Sequence, residues 1–514
     1  MAFDRFRDAR TITDGTRLTA DVCVVGAGAA GITITRALLR AGYRVCLLEA
    51  GGLSVDPAVD ALAAVENVGI DYRPNDARMR LFGGTTNHWG GHCVPLNPID
   101  LEARDWIDHS GWPFSFDELR PYYQAAHEVL GLGPFDYNAA EGAARIGARL
   151  FDFDGVNVAT TMSLHNRVRF GLEFGDALNA ARNLQCILYA DVSSIDLANA
   201  ESEVVRSVSV RSIAGNAFTV QARAFVIACG GIENARLLLA SNQQRPAGLG
   251  NHADAVGRFF MEHIWYESGY IAPTPPLATY RHYAREVPYN DVRARFQIAI
   301  PPEKQRELRI SAFRAELVEK PSAYWETWHV RHQGIDPSDI GVLLANPLKM
   351  GAALRCREHA APDVFVLGNL IEQIPNPESR VTLSESRDPL GRPLARLNWR
   401  LSRQDHDCIF HAHEVIASEI GRRSVGRMRV TMHDRSELDL SGAAGASHHM
   451  GTTRMHIDPA RGVTDAQGRV HFTRNLYVAG SSLFPTSGYA NPTLTIVALA
   501  LRTADALKRQ LRRG

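Results

Sequence analysis

A short apolar run at residues 21–25, DVCVV, has the pattern of a buried strand. The glycine-rich stretch GAGAAG follows directly at residues 26–31, and residues 32–42 then place apolar side chains at helical spacing. A second apolar run, RVCLLE at residues 44–49, ends in an acid. The pattern therefore predicts a strand, a glycine turn, a helix and a second strand.

The glycines of this turn have the spacing of the dinucleotide-binding fingerprint GxGxxG. Gly26 permits the tight turn, Gly28 lets the backbone approach a pyrophosphate, and Gly31 lets the helix pack on the strand. Glu49 follows 18 positions after Gly31, close to the usual spacing of about 20, and would bind the ribose hydroxyls. Its charge would repel a 2′-phosphate, so the motif favours FAD or NAD over NADP and does not separate those two.

A similar pattern returns later in the chain. Residues 224–241 predict a strand, a glycine turn and a helix, and residues 475–480 predict another buried strand. The next helix is predicted to start with Asn491 as its N-cap and Pro492 in the first helical position. Its positive N-terminus would point into the protein, where it would stabilise the negative charge of a reduced flavin. We therefore predict a doubly wound α/β domain that the chain leaves and re-enters.

Two polar loops carry candidate chemistry. Residues 82–93, FGGTTNHWGGHC, contain too many polar residues for a core strand. Their glycines predict a functional loop. Residues 447–455, SHHMGTTRM, place two adjacent histidines before a glycine and threonine turn. Histidine, with an unperturbed pKa of about 6.5, suits proton transfer near neutral pH.

Composition excludes several classes of protein. The 514 residues include 56 basic and 56 acidic side chains, so the net charge gives no reason to expect binding to nucleic acid or to an anionic membrane. The longest apolar runs fall far short of the roughly 20 residues of a transmembrane segment. The first 20 residues lack the apolar core of a signal peptide, and the seven cysteines have no zinc or disulfide spacing. We therefore expect a cytoplasmic protein with reduced thiols and no metal site.

Five motifs occur in a recognisable order along the chain. They are GAGAAG with Glu49, GGTTNHWGG at 83–91, GRFFMEH at 257–263, HHMGTTRM at 448–455 and AGSSLFPTSGYANPTLT at 479–495. Together they resemble the glucose-methanol-choline (GMC) oxidoreductase family of FAD flavoproteins, and especially its branch of pyranose oxidases and bacterial sugar and glycoside dehydrogenases. The resemblance implies a Rossmann-type FAD-binding domain and a second α+β domain, built on an antiparallel sheet, that covers the flavin.

The resemblance also implies how the chain divides between these domains. We expect residues 1–257 and 441–514 to form the FAD-binding domain, with a flavin-contacting loop at 82–93, and residues 258–440 to form the substrate-binding domain. The segment 381–399 has two strand-like runs with a turn between them, and it fits the second domain.

Oxidation of an alcohol by a flavin needs hydride transfer to flavin N5 and a base for the hydroxyl proton. By resemblance, His448 is that base and Asn491 orients the substrate oxygen, whereas His449 is expected to be structural. His88 matches a position where some family members attach FAD covalently, and a noncovalent contact agrees equally well with the sequence. The motifs imply FAD-binding roles for His88, Asn491 and the following residues: Gly26, Gly28, Gly31, Glu49, Gly84, Thr85, Asn87, Trp89, Gly90, Gly480, Pro492 and Thr493.

The expected activity is oxidation of a CH–OH group, with a sugar or glycoside as the favoured substrate and oxygen, a quinone or a redox protein as electron acceptor. Aromatic and polar residues between 261 and 333 would suit a sugar ring, although a large antiparallel core uses the same residue types. They are Trp265, Tyr266, Tyr280, His282, Tyr283, Tyr289, Trp325, Trp328 and His329. The alternatives are a GMC-like flavoprotein with a non-sugar alcohol or non-oxidase chemistry, and an NAD-dependent dehydrogenase.

Overall fold

The computed structural model describes residues 5–320, 362–430 and 444–513. Its helices are Ala29–Arg40 (α1), Pro57–Asp60 (α2), Pro98–Leu101 (α3), Phe116–Leu130 (α4), Ala139–Arg145 (α5), Phe170–Ala180 (α6), Gly230–Ala240 (α7), Arg281–Ala284 (α8), Pro302–Leu308 (α9), Arg403–Arg422 (α10) and Thr493–Arg513 (α11). Trp325, Trp328, His329 and Cys356 lie outside the described residues.

The strands fall into three sheets. They are Arg7–Asp8 (β1), Arg17–Val25 (β2), Val45–Leu48 (β3), Val65–Asn67 (β4), His92–Cys93 (β5), Ala159–His165 (β6), Leu184–Leu188 (β7), Asp191–Leu197 (β8), Val205–Arg211 (β9), Ala217–Ile227 (β10), His263–Pro273 (β11), Val287–Tyr289 (β12), Val292–Ala299 (β13), Phe313–Lys320 (β14), Val364–Glu372 (β15), Arg380–Arg387 (β16), Pro393–Asn398 (β17), Gly426–Val430 (β18), Ala444–Gly445 (β19) and Leu476–Val478 (β20).

The first sheet has the predicted doubly wound core. Within the described ranges its strands run in the order β1-β7-β3-β2-β10-β9-β8, and β20 pairs with β10. The pairs among β1, β7, β3, β2 and β10 are parallel, as is the pair of β10 with β20. Every residue of β3 is buried, as expected for a strand with both faces covered. The returning strand β20 confirms that the chain re-enters this sheet.

The second sheet is antiparallel, as expected. Its described strands run in the order β18-β11-β15-β14-β13-β6-β5, with β12 on β13 and β19 on β11. The predicted hairpin at 381–399 is present as β16 and β17, but these strands pair with β4 in a separate small sheet. The predicted fold class, a Rossmann-type domain with a second antiparallel domain, is confirmed.

The chain crosses between the sheets more often than the predicted domain division allows for. Strands β5 and β6 lie within residues 1–257, yet they belong to the antiparallel sheet. Strand β4, from the same range, pairs with the hairpin of the later part of the chain. The boundary at 257/258 stays a prediction, and the boundary at 440/441 lies outside the described residues.

Helix α11 packs against α1 and α4. It starts one residue later than predicted, because the amide of Ile496 donates to the carbonyl of Pro492 (2.8 Å) and so makes Pro492 the N-cap. The predicted N-cap, Asn491, therefore lies before the helix, and its side chain is free for other contacts.

Two expectations from composition can be compared with the described residues. The six cysteines in these ranges are free thiols, and all but Cys229 are buried. No described helix is both long enough and apolar enough to cross a membrane.

Candidate active site

A cavity of about 550 Å³ lies where the first sheet, the loop 82–93 and the antiparallel sheet meet. It gathers residues from opposite ends of the sequence. Thirteen of the predicted site residues line it: Gly26, Gly28, Glu49, Gly84, Thr85, His88, Trp89, Gly90, His448, Gly480, Asn491, Pro492 and Thr493.

The glycine turn has the geometry that its motif predicts. Gly26 has φ +100°, and a Cβ there would lie 2.5 Å from the carbonyl oxygen of Ala228. A Cβ on Gly31 would overlap the carbonyl oxygen of Gly26, so Gly31 serves helix packing and lies behind the cavity wall. A Cβ on Gly28 would meet open space, because Gly28 caps α1 and faces the cavity. The uncapped amides of this helix N-terminus suit a pyrophosphate.

Glu49 lies directly after β3 and is buried against the same turn. Its two carboxylate oxygens accept hydrogen bonds from the amides of Ala27 (2.8 Å) and Gly51 (2.9 Å). Burial raises the pKa of Glu49, and these two bonds act in the opposite direction. Each oxygen keeps a lone pair for a ribose hydroxyl, so the position fits the adenosine end of FAD.

The loop 82–93 is held by hydrogen bonds within the loop and by one to Val168. The amide nitrogen of Asn87 donates to the carbonyls of Phe82 (3.1 Å) and Gly84 (2.8 Å), and the indole of Trp89 donates to the carbonyl of Val168 (2.9 Å). Asn87 does not line the cavity among the described residues, so its place is within the loop. Its contact with FAD stays a prediction.

His88 projects from the same loop into the cavity and is exposed there. Partial burial lowers its pKa, with a smaller contribution from the positive charge of Arg169. A largely unprotonated imidazole facing the cavity fits both a covalent bond to FAD and a noncovalent contact.

The two predicted catalytic residues meet at one wall of the cavity. Nε2 of His448 lies 3.5 Å from Nδ2 of Asn491. The backbone amide of His448 donates to both carboxylate oxygens of Glu262, at 2.8 and 2.9 Å, which fixes the loop that carries the histidine. Burial is the main cause that lowers the pKa of His448 well below its ordinary value, so its ring is neutral at pH 7.

Arg314 orients Asn491. Its guanidinium is fully buried and donates to Oδ1 of Asn491 at 3.0 Å. Because a guanidinium has only donors, the atom that it contacts must be the amide oxygen. The amide nitrogen of Asn491 therefore faces His448 and the cavity as a hydrogen-bond donor.

Three residues beside this pair were given no role by the sequence. Glu262 and His263 belong to the GRFFMEH motif, which indicated the family but did not show which of its residues lie at the site. Arg314 lies in β14 and belongs to no motif. Both ring nitrogens of His263 are engaged: Nδ1 lies 2.8 Å from Nδ1 of His448, and Nε2 lies 2.8 Å from the carbonyl oxygen of Gly488. Burial raises the pKa of Glu262 to about 7.

His449, the neighbour of His448, also lines the cavity, but its ring nitrogen contacts a different partner. Its Nε2 lies 2.8 Å from the hydroxyl of Tyr72, which donates in turn to Glu262 (2.7 Å). Burial lowers the pKa of His449 to about 3. These contacts hold the dipeptide in place and agree with a structural role.

Most of the aromatic residues proposed for sugar contact lie elsewhere. Within the described ranges, none of Trp265, Tyr266, Tyr280, His282, Tyr283 and Tyr289 lines the cavity. All but Trp265 are buried in or beside the antiparallel sheet. Their pattern in the sequence therefore reflects core packing.

The fold and this cavity define a flavoprotein with a Rossmann-type nucleotide site. The family model for FAD dependent oxidoreductases matches residues 21–343, well over half of the chain, and the model for GMC oxidoreductases matches residues 375–500. The chain belongs to the FAD dependent oxidoreductases, carries a GMC oxidoreductase domain at residues 375–500, and depends on FAD. This excludes the NAD-dependent alternative.

Curated relatives span nearly the whole chain. A 6'''-hydroxyparomomycin C oxidase of Streptomyces lividus is 27% identical over 96% of this chain and 92% of its own length. The fructose dehydrogenase large subunit of Gluconobacter japonicus is 24% identical over 97% and 99%. The crystal structure of pyridoxine 4-oxidase from Mesorbium loti shares the fold, with a TM-score of 0.62 and 20% identity over 95% of this chain and 99% of that chain.

Proposed function

We propose that the protein oxidises a CH–OH group of a sugar or glycoside to a carbonyl group, with His448 accepting the hydroxyl proton. The observation that carries the proposal is the pair at the cavity wall. His448 Nε2 and Asn491 Nδ2 lie 3.5 Å apart and both line the cavity, so one substrate oxygen can contact both. A neutral imidazole accepts a proton, and an amide N–H stabilises the oxygen that loses it.

The division of labour follows from the atoms that each side chain presents. Asn491 cannot act as a base, and Arg314 holds its amide oxygen, so Asn491 orients the substrate oxygen through Nδ2. His448 takes the proton at Nε2 and must release it again before the next turnover. When bound, the flavin supplies the acceptor for the hydride, and the glycine turn, Glu49 and the loop 82–93 would hold it.

The polarity of the cavity wall and the name of one relative support a polyhydroxylated substrate. His92 lines the same cavity, and Glu316 stands behind it with 3.9 Å between Nδ1 and the nearer carboxylate oxygen, so this part of the cavity wall is polar. One relative carries the name of a sugar dehydrogenase and another that of an oxidase, which leaves oxygen, a quinone or a redox protein as the electron acceptor. Reoxidation of the reduced enzyme by oxygen and by a quinone, followed separately, distinguishes these acceptors.

The test is anaerobic flavin reduction by fructose, glucose and methyl glycosides, followed by absorbance in stopped flow. A His448→Ala variant should keep FAD but reduce it about 100- to 10,000-fold more slowly with the sugar that works best on the wild type. Chemical reduction by dithionite should be equal in both proteins and serves as the control. Wild-type rates in the variant would remove His448 from its role, and bleaching by simple alcohols alone would remove the sugar from the proposal.

Four further assignments belong to the same proposal. Residues 1–257 and 441–514 would form the FAD-binding domain and residues 258–440 the substrate-binding domain, although Arg392 is the only described residue of the second range that lines the cavity. The free thiols agree with a cytoplasmic location. No nucleic acid is expected as a partner. Acid precipitation of the holoenzyme tests for covalent attachment, because FAD that stays in the pellet is covalently bound, and His88 is the first candidate for the link.

A further inference from the structure

His263 begins β11 and is completely buried beneath His448. It contacts His448 through Nδ1 and the carbonyl oxygen of Gly488 through Nε2, each at 2.8 Å. It is not among the residues that line the cavity within the described ranges. Its contacts therefore act on the substrate only through His448.

These two contacts determine where the ring protons lie. A carbonyl oxygen only accepts, so Nε2 of His263 must carry hydrogen. Burial lowers the pKa of His263 to about 4, so the ring is neutral and its Nδ1 is bare. Since two bare nitrogens 2.8 Å apart would repel each other, Nδ1 of His448 must carry the hydrogen that joins the rings. In a neutral His448 this leaves Nε2, the atom that faces the cavity, without a proton.

We propose that His263 is a positioning residue that holds His448 in the tautomer whose Nε2 is free to accept the substrate proton. This inference rests on the proposed role of His448. In bulk water a neutral imidazole exchanges between two tautomers, and only the one with a bare Nε2 can act as a base at this wall. His263 removes the other tautomer from the population.

The acceptor at the start of this hydrogen-bonded chain is rigid. The amide of Gly488 donates to Glu372 (3.2 Å), and Arg104 binds both carboxylate oxygens of Glu372, at 2.8 and 2.6 Å. Gly488 has φ +52°, and a Cβ there would lie 2.5 Å from a carboxylate oxygen of Asp100. The bonds of Gly488 to Glu372 and of Glu372 to Arg104 hold this backbone segment, so the carbonyl of Gly488 stays directed at His263.

The kinetic test replaces His263 by leucine, which has a similar size but no acceptor. Flavin reduction by the best wild-type sugar should slow about 10- to 100-fold, with little change in the apparent affinity for that sugar. His263→Asn places an amide oxygen near the position of Nδ1 and should recover part of the rate. His413→Leu removes an equally buried histidine away from the cavity and should reduce its flavin at the wild-type rate.

The second measurement does not depend on turnover. Ring-nitrogen NMR spectra of the wild-type holoenzyme labelled with 15N-histidine report the tautomer of His448, whose signals are assigned by their loss in His448→Ala. The expected spectrum shows hydrogen on Nδ1, and His263→Leu should show a mixture. Hydrogen on Nε2 in the wild type would overturn the proposal, even if His263→Leu failed to fold.

The outcomes separate this inference from the proposed function. Loss of flavin reduction in His448→Ala together with a wild-type rate in His263→Leu would overturn the positioning role alone. A wild-type rate in His448→Ala would overturn the proposed function, whatever tautomer the spectra show.

Discussion

Gly28 and Gly31 belong to one motif, yet a side chain at each has a different physical consequence. A Cβ on Gly28 enters open space at the cavity, whereas a Cβ on Gly31 overlaps backbone. Gly28→Val should therefore fold normally and lose FAD, since its methyl groups occupy the space of the pyrophosphate. Gly31→Ala should destabilise the protein by at least about 1–3 kcal/mol.

Thermal unfolding of the apo proteins and fluorescence titration with FAD measure the two effects separately. Gly421→Val is the matched control, because Gly421 also has no neighbour near its Cβ but lies exposed in α10. A Gly28→Val protein that purified with a full complement of FAD would contradict the assignment of the glycine turn.

At this scale the sequence predicts a residue well when its motif encodes a backbone constraint. The motif predicts a tight turn at Gly26, open space for a ligand at Gly28 and close packing of the helix at Gly31. The surroundings of the three glycines agree with this. Asn87 shows the limit, because an amide in a glycine-rich loop can serve the loop as readily as a ligand. Arg314 was not predictable, since its contact with Asn491 joins strand and loop residues 177 positions apart.

Among the elements, β15, the segment after α3 and the turn before α11 are joined by one buried ion pair. Arg104 and Glu372 are almost completely buried and bind each other through two hydrogen bonds. Removing one partner leaves a buried unpaired charge, so Arg104→Met should cost about 3–5 kcal/mol. The double variant Arg104→Met, Glu372→Leu should unfold at a higher temperature than Arg104→Met alone.

Thermal unfolding of the single and double variants measures this coupling. If the stability loss of the double variant equalled the sum of the losses of the two single variants, the two side chains would not interact directly. Glu372 also binds the amide of Gly488, so the double variant should still reduce its flavin more slowly than the wild type.

Helices and strands with a strong hydrophobic pattern could be predicted from the sequence, but the strands that pair with one another could not always be. The strands β2, β3 and β20 and the hairpin of β16 and β17 follow from apolar runs and turn residues. The pairing of that hairpin with β4 depends on contacts between residues more than 300 positions apart, which local pattern does not encode. The start of α11 was displaced by one residue because both Asn491 and Pro492 suit a helix start, and only the hydrogen bond of Ile496 decides between them.

Across the whole molecule, buried histidines and buried carboxyl groups make the stability of the fold depend on pH in opposite directions. Burial is the main cause that lowers the pKa of His165 to about 2, of His449 to about 3 and of His263, His282 and His413 to about 4. The contribution of these neutral histidines to the stability of the fold is complete above about pH 6.5. It is lost as the pH falls from there toward the pKa values in the folded protein. Burial raises the pKa of Asp100 and Glu262 to about 7 and of Asp405 to about 6, so these groups lose stabilisation as the pH rises through that range.

We expect the histidines to dominate between pH 7 and pH 5, because they are more numerous and their shifts are larger. The melting temperature of the holoenzyme should therefore fall as the pH is lowered over this range. His413→Asn removes one such group far from the cavity and should lose about 2 kcal/mol less than the wild type between pH 7 and pH 5. Scanning calorimetry of both proteins checks the difference, and identical pH dependence would contradict it.

The interleaving of the two sheets has a consequence during synthesis. The glycine turn at residues 26–31 leaves the ribosome early, but β20 and the first turn of α11, which complete the same cavity, emerge more than 440 residues later. Until then the nascent chain has half of a nucleotide site and an unpaired edge on β10. FAD can therefore be captured only when synthesis is nearly complete, and until then the open edge of β10 is a site where the unfinished chain could pair with another strand.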